Sequence, residues 1–290
     1  MDNRIHKPVL LNEVLLLLDP KENDRYLDLT AGYGGHASEV LHRLGNGGSM
    51  TLVDRDPDAI SYLNRRFAGD GRVAIMQADY KSASKKLVEN GEKFNSILAD
   101  IGVSSPHLDN PDRGFSFMSE GPLDMRMDKS SARTAADIVN AVSKEELADI
   151  LYLYGELKNS RRIADIIVRR RPYSLTSELA AVIPGSYRQR MKTLAQVFQA
   201  LRIVVNDELG QLSESLPLWH KLLDREGKLA VITFHSLEDR IVKQYFQEHG
   251  ADVYGSELKI LNKRPFVATR EELVFNPRAR SAKLRGVQRK

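Results

Sequence analysis

An apolar run ending in an acid, Tyr26-Leu27-Asp28-Leu29, leads straight into a turn with three glycines, Thr30-Ala31-Gly32-Tyr33-Gly34-Gly35-His36. A segment of helical period follows. This order reads as a strand–loop–helix unit whose glycines let a ligand approach the backbone closely. It constrains the fold because the same alternation then continues. Strands are expected at about 25–29, 50–53, 73–76 and 96–99. Helices are expected between them, at about 36–44, from Pro57 to about 67, and from Asp79-Tyr80 to about 89. Pro57 stands where a first helical turn tolerates it. Strands alternating with ten-residue helices predict βαβ units and a parallel α/β sheet.

The alternation stops after Asp100. Residues 101–130 show no period and hold Gly102, Pro106, Pro111, Gly114, Gly121 and Pro122. So long an irregular stretch inside a compact domain is read as functional. From 143 to about 209 the pattern is helical, opened by a capping box at Ser143-Lys-Glu-Glu146. Helices are expected at 159–171, 176–183 and, as one long element, 188–209. The alternation resumes with a helix at 216–223, a strand at 229–234, a helix from Ser236 to about 248, and strands at 258–261 and about 282–287. An amphipathic helix at 8–18 leads in. The expected organisation is one discontinuous α/β domain, 1–107 with 205–290, interrupted by a loop and helical insertion at 108–204.

Composition sets the outer limits. The chain has 290 residues, 42% hydrophobic and 28% charged, enough for a sizeable core. It lacks cysteine, which removes disulfides and thiolate metal sites. The seven histidines show no metal-ligand spacing, so no metal is expected. The apolar run around 14–18 is too short to span a bilayer, and no signal-peptide pattern opens the chain. The expectation is a cytoplasmic protein with no membrane partner. A net charge of +4 is a mild bias towards polyanions.

Gly32-Tyr33-Gly34-Gly35-His36-Ala37 fits G-x-G-x-x-A. Alone, this is compatible with a structural turn or with a dinucleotide site. The acids separate the readings. Asp28 ends the first strand, and Asp54, Asp79 and Asp100 follow the next three. A carboxylate aimed at a pyrophosphate repels it, whereas one near a sulfonium and an amino group attracts them. An acid after the second strand offers two acceptor oxygens to both ribose hydroxyls. Four acids at corresponding strand ends point to S-adenosylmethionine. Taken singly, each aspartate is also a plausible helix cap.

Long motifs then carry a resemblance. They are Thr30-Ala-Gly-Tyr-Gly-Gly-His36, Val53-Asp-Arg-Asp-Pro57, Asp100-Ile-Gly-Val-Ser-Ser-Pro106, Arg113-Gly-Phe-Ser-Phe-Met118, Gly121-Pro-Leu-Asp-Met-Arg-Met-Asp128, Phe198-Gln-Ala-Leu-Arg-Ile203, Phe234-His-Ser-Leu-Glu-Asp-Arg240 and Asn276-Pro-Arg-Ala-Arg280. In this order, over nearly the whole chain, they resemble the bacterial 16S rRNA (cytosine-N4) methyltransferase family, which modifies a decoding-region cytidine, position 1402 in rRNA numbering. The resemblance implies a Rossmann-like class I methyltransferase sheet of seven mostly parallel strands with an inserted all-helical domain. It implies S-adenosylmethionine as cofactor and 16S rRNA or the small ribosomal subunit as partner. It places cofactor contacts on Gly34, Gly35, His36, Asp54, Tyr80, Asp100 and His107. At His107 the family usually has Gln. Lys192-Thr-Leu-Ala-Gln196 stands where the family often reads His-Pro-Ala-Thr-Arg.

Methylating an exocyclic amine needs alignment above all, plus a polar group accepting from N4–H. The usual Asn/Asp/Ser-Pro-Pro-aromatic motif of amino-methyltransferases is absent after strand four. Asp100 is the candidate catalytic residue, and a purely cofactor-binding carboxylate is the alternative. Phe115 and Phe117 are candidates to hold an unstacked base, or else to pin the loop to the core. Arg113 and Arg126 are candidates for phosphate or base edges. His235-Ser236 lacks the glycines of a nucleophile elbow, and Ser236 with Asp239 reads as a helix cap. For RNA, Arg161, Arg162, Arg169, Arg170 and Arg171 share one predicted helix, and Arg188, Arg190 and Lys192 the next. The last thirteen residues, with six Lys or Arg and no acid, add a basic tail.

Overall fold

The computed structural model describes residues 8–102, 109–129, 131–250 and 255–290. In chain order its elements are α1 (Leu11–Leu18), β1 (Arg25–Asp28), α2 (Gly35–Leu41), β2 (Ser49–Asp54), α3 (Pro57–Arg66), β3 (Val73–Gln77), α4 (Tyr80–Glu89), β4 (Phe94–Asp100), α5 (Ala135–Ala141), α6 (Lys144–Leu153), α7 (Ser160–Val168), α8 (Thr176–Val182), α9 (Tyr187–Asn206), α10 (Glu208–Leu222), β5 (Leu223–Thr233), α11 (Ser236–Gly250), β6 (Leu258–Ile260), α12 (Arg270–Phe275) and β7 (Lys283–Arg289). They form two compact units, Met1–Gly102 with Leu209–Lys290, and Val103–Glu208.

The first unit holds a seven-stranded sheet of order β3-β2-β1-β4-β5-β7-β6. β1 to β5 pair in parallel, and β7 runs antiparallel to both β5 and β6. This is the Rossmann-like class I methyltransferase sheet that the resemblance implies. Strand alternation sends successive side chains to opposite faces, so each strand feeds two cores. Leu27, Ile97, Ala99 and Val231 pack with Leu87 of α4, Leu216 and Trp219 of α10, and Phe246 of α11. Tyr26, Leu52, Leu98 and Ile232 pack with Leu18 of α1, Val40 of α2 and Leu63 of α3. Trp219 is fully buried, and its indole N–H donates to Ser84 Oγ at 3.0 Å. Its polar atom is therefore satisfied inside an apolar layer.

Strand order reverses between β1 and β4. β1 leads outward through β2 to β3, and the chain then returns to place β4 on β1's other side. The crevice beyond the carboxyl ends of two such strands is where open α/β sheets bind ligands. Asp28 ends β1 and Asp100 ends β4.

The second unit has its own core, built from Ile138 of α5, Leu151 of α6, Ile163 of α7 and Val197 of α9. Residues of the aperiodic stretch belong to it: Phe115, Leu123, Met125 and Met127 are all buried there. Backbone approach explains the glycines. A Cβ on Gly114, which has φ +70°, would sit 2.0 Å from the Pro122 carbonyl oxygen, and one on Gly121 would sit 1.9 Å from that of Pro111.

Several expectations are corrected. The lead-in helix begins only at Leu11, because Leu10 takes φ +54°. The long helix expected at 188–209 ends at Asn206. Asp207, with φ +47°, breaks it, and a fresh helix runs from Glu208 through Pro217 to Leu222. Aspartate tolerates this left-handed region better than most residues. The strand expected at about 282–287 is β7, 283–289, so most of the final basic run lies inside the sheet and is no free tail, with Arg285 buried against Asp239.

Candidate active site

The site grows from the β1 end. Asp28 is 2% exposed. Its Oδ1 accepts the Thr30 N–H at 3.1 Å, and its Oδ2 accepts the Tyr26 hydroxyl at 3.2 Å. Burial, with the nearby Asp54 charge adding, pushes its carboxyl up to about 7 against those two hydrogen bonds. The chain then turns through Gly32 (φ +52°) and Gly34 (φ +75°). A Cβ on Gly34 would meet the Phe67 ring at 2.9 Å and Leu63 at 3.0 Å, so glycine is needed for conformation and for space.

Asp54 anchors this loop from the end of β2. Its Oδ2 accepts the Gly32 N–H at 2.8 Å and its Oδ1 the Asp56 N–H at 2.8 Å. Asp79 differs. Its oxygens accept the Ser82 N–H at 2.8 Å and the Ser82 hydroxyl at 2.7 Å, so it caps α4. Tyr80, the next residue, is buried with its ring edge-on to Trp219 at 5.7 Å.

The β4 end supplies Asp100. Its N–H donates to Thr30 Oγ1 at 2.6 Å, which ties the two strand ends together. Its side chain is 21% exposed, yet Oδ1 is sealed and has no hydrogen-bond partner among the described residues. Burial first, then the charges of Asp28 and Glu238, holds its carboxyl well above the ordinary range. His36 is 7% exposed. Its Nε2–H donates to the Val9 carbonyl at 2.9 Å, which leaves Nδ1 4.0 Å from Asp100 Oδ2. Pro8 covers Gly35, standing 3.3 Å from where its Cβ would be.

The predicted residues Gly34, Gly35, His36, Asp54 and Asp100 thus gather in one crevice with Asp28, and Tyr80 stands beside it on α4. His107 lies outside the described residues, as do Ser104, Ser105 and Pro106. Three participants escaped the sequence reading. Thr30 and Val9 act through one hydroxyl and one carbonyl, which no pattern announces. Glu238, fully buried, accepts the N–H groups of Phe234 and His235 at 2.8 and 3.3 Å. Its motif was visible, but Asp239 was expected to cap that helix. Asp239 instead binds Arg285 at 2.6 Å and Lys283 at 3.0 Å.

Other candidates are relocated. Phe115 is buried, and Phe117 meets Phe198 edge-on at 5.3 Å, so both pin the loop within the second unit. The Arg113 guanidinium donates to the carbonyls of Arg126 and Met127. Arg126 forms a two-pronged pair with Asp124, at 2.8 Å on each arm. All four hold a fold rather than a base. Arg171 donates to the Val142 carbonyl and Arg190 to that of Ala180, whereas Arg169 pairs with Asp165 at 3.0 Å.

Chemically, Asp28 and Asp100 are acids whose proton affinity burial raises, with the charge of Asp54 adding at Asp28 and those of Asp28 and Glu238 adding at Asp100. Such a crevice favours a ligand with a positive end. The MraW methylase family matches the chain over residues 3–290. The chain belongs to that family. It is 42% identical over 302 residues to the ribosomal RNA small subunit methyltransferase H of Acidobacterium capsulatum, with 100% of each chain covered. It is 45% identical over 297 residues to the protein of that name from Synechocystis sp., covering 98% of this chain and 93% of the relative. With the Stenotrophomonas maltophilia relative the identity is 44% over 303 residues, covering 99% and 94%. Membership makes the chain a methyltransferase. Among the described residues, no helix is long and apolar enough to cross a membrane.

Proposed function

We propose that this methyltransferase transfers the methyl group of S-adenosylmethionine to the N4 amine of the cytidine at position 1402 of 16S rRNA. The observation that carries the cofactor is the pair of acids with raised proton affinity, Asp28 and Asp100, at the ends of β1 and β4. The residues present fit it. Asp54 stands at the end of β2 with a carboxylate suited to ribose hydroxyls, and Gly32, Gly34 and Gly35 let the backbone come close to a ligand. Asp28 and Asp100 favour the positive methionine end, and Tyr80 borders the base side. When bound, the cofactor supplies an electrophilic methyl on a sulfonium. The chain's own contribution is alignment and a proton acceptor. The Asp100 carboxylate, whose side chain is 21% exposed, accepts a hydrogen bond from N4–H. That contact turns the amine lone pair out of conjugation and takes up the charge that develops as the N–C bond forms. Oδ2 faces His36 Nδ1, whose tautomer the Val9 carbonyl sets, so the released proton has a second acceptor behind the first.

The helical unit suits RNA recognition. It exposes Arg161, Arg162, Arg170, Arg188 and Lys192, and Tyr187 beside them is 78% exposed. Cations with an exposed aromatic match a phosphate backbone with unstacked bases.

Mass spectrometry of 16S rRNA nucleosides from a deletion strain tests the reaction. The expected result is loss of N4-methylation at that cytidine, restored by the gene. An unchanged cytidine refutes it. Calorimetry tests the cofactor: tight NAD(P) binding without S-adenosylmethionine binding overturns that part.

The acids also set a pH dependence. Asp28 is raised from 3.8 to about 7, so the empty fold binds a proton that the unfolded chain releases. Its stability is therefore highest below about pH 4 for this group and declines as pH rises through 7. A positive ligand prefers the ionised acid. Affinity for S-adenosylmethionine is expected to rise about tenfold between pH 6 and 8, with proton release on binding. Calorimetry in two buffers of different ionisation enthalpy reads both. A flat profile refutes the proximity of Asp28 to the cation.

A further inference from the structure

The first unit holds a cavity of about 380 Å³ that the methyl-transfer site does not use. It lies at the carboxyl end of β5. Phe234, His235 and Ser236 line it from the β5–α11 turn, Val267 from the segment after β6, and Arg280 and Lys283 from the approach to β7. Its position follows from strand register. Asp100 pairs with Ile232, so Phe234 stands two residues beyond that pair, as Gly102 does on β4. The Phe234 ring lies 3.1 Å from where a Gly102 Cβ would be. One phenylalanine therefore touches the strand end that carries Asp100 and also walls the cavity.

The charge at this cavity is opposite to that of the acid crevice. Arg280 is exposed, and no partner is found for its guanidinium among the described residues. Lys283 reaches Asp239 at 3.0 Å, but Asp239 also neutralises Arg285, so one carboxylate answers two cations. Glu238 is fully buried and turned to the Phe234 and His235 N–H groups. The opening is left net positive. Its walls combine an aromatic ring, the 56% exposed Val267, and the Ser236 hydroxyl. Cations for a phosphate, a hydroxyl for a sugar and an aromatic wall for a base are the groups that recognise a single-stranded ribonucleotide. The volume falls in the range of small-ligand sites.

We propose that this cavity seats a nucleotide adjoining the target cytidine, with Arg280 and Lys283 on its phosphate and Phe234 and Val267 against its base. This deepens the RNA-methylation reading and rests on it. The cavity would fix the register of the strand, so that the correct amine reaches Asp100.

The test uses the full chain with Arg280→Glu and Val267→Trp, the second filling the cavity. Both residues are exposed, so the fold is expected to survive, and unchanged S-adenosylmethionine affinity checks it. Fluorescence anisotropy measures binding of a labelled decoding-region RNA oligonucleotide, independently of turnover. Each variant is expected to weaken RNA binding about tenfold, and Arg280→Glu to flatten the log–log salt slope by about one unit. The KM for RNA should rise in parallel. Wild-type RNA affinity in both variants overturns the subsite. So does competition by free cytidine monophosphate as strong as that by the oligonucleotide, which would assign the cavity to a free nucleotide. A wild-type chain that binds RNA with this Arg280 dependence, yet leaves the cytidine unmethylated, refutes the reaction and keeps the subsite.

Discussion

Asp100→Asn is expected to lower the methylation rate of 16S rRNA by about 10²- to 10⁴-fold at saturating cofactor. The substitution keeps the size of the side chain and removes its charge and basicity. Asp100 sits where β4 ends at the switch point, held by its N–H to Thr30 Oγ1 at 2.6 Å. Its side chain is 21% exposed, which leaves the carboxylate open to a substrate N–H. A second readout separates catalysis from cofactor binding. If Asp100 only held the cofactor, the loss would appear in the dissociation constant and vanish at saturation. The expected result is the reverse, with the loss in kcat and a smaller change in affinity. A stability measurement gives an independent sign. Burial and the charges of Asp28 and Glu238 raise this carboxyl, so ionising it destabilises the empty fold. Asn carries no such cost. The variant should therefore be more stable than the natural chain at pH 8, and the gap should close as the pH falls. A gap that widens on acidification refutes the placement of Asp100 among the acids.

The sheet was legible because its signals are local. Each strand from β1 to β4 is a short apolar run ended by an acid or a polar residue, and each helix between opens on a recognisable residue such as Asp56-Pro57 or Asp79. The crevice acids were legible for the same reason, since strand ends in a parallel sheet share one edge. What the sequence hid depends on contacts between distant segments. Arg113 and Arg126 look like RNA ligands until the Arg126, Met127 and Asp124 partners are seen. Phe115 and Phe117 look like a base clamp until the core of the second unit closes over them. The final basic run reads as a strand at about 282–287, but nothing in it shows that Arg285 is buried against Asp239 instead of being offered to RNA. The break at Asp207 depends on one backbone angle, which helical periodicity on both sides conceals.

Asp54→Ala carries the second large expectation, a loss of about 10- to 100-fold in S-adenosylmethionine affinity, or about 1–3 kcal/mol. Two effects add. The first is direct, through the ribose contact proposed for the carboxylate. The second acts through the loop. Asp54 holds the Gly32 and Asp56 N–H groups at 2.8 Å each, so its removal leaves two backbone donors unsatisfied and frees the glycine turn. Asp54→Asn separates them. Its carboxamide keeps one acceptor for the loop and loses charge towards the ribose, so it should fall between the natural chain and the alanine variant. Calorimetry with S-adenosylmethionine and with a 2′-deoxyribose analogue completes the comparison. The natural chain should discriminate between the two ligands, and Asp54→Ala should bind them equally because the group that reads the hydroxyl is gone. Discrimination that persists in Asp54→Ala would move ribose recognition to another residue and leave Asp54 as a brace for the turn.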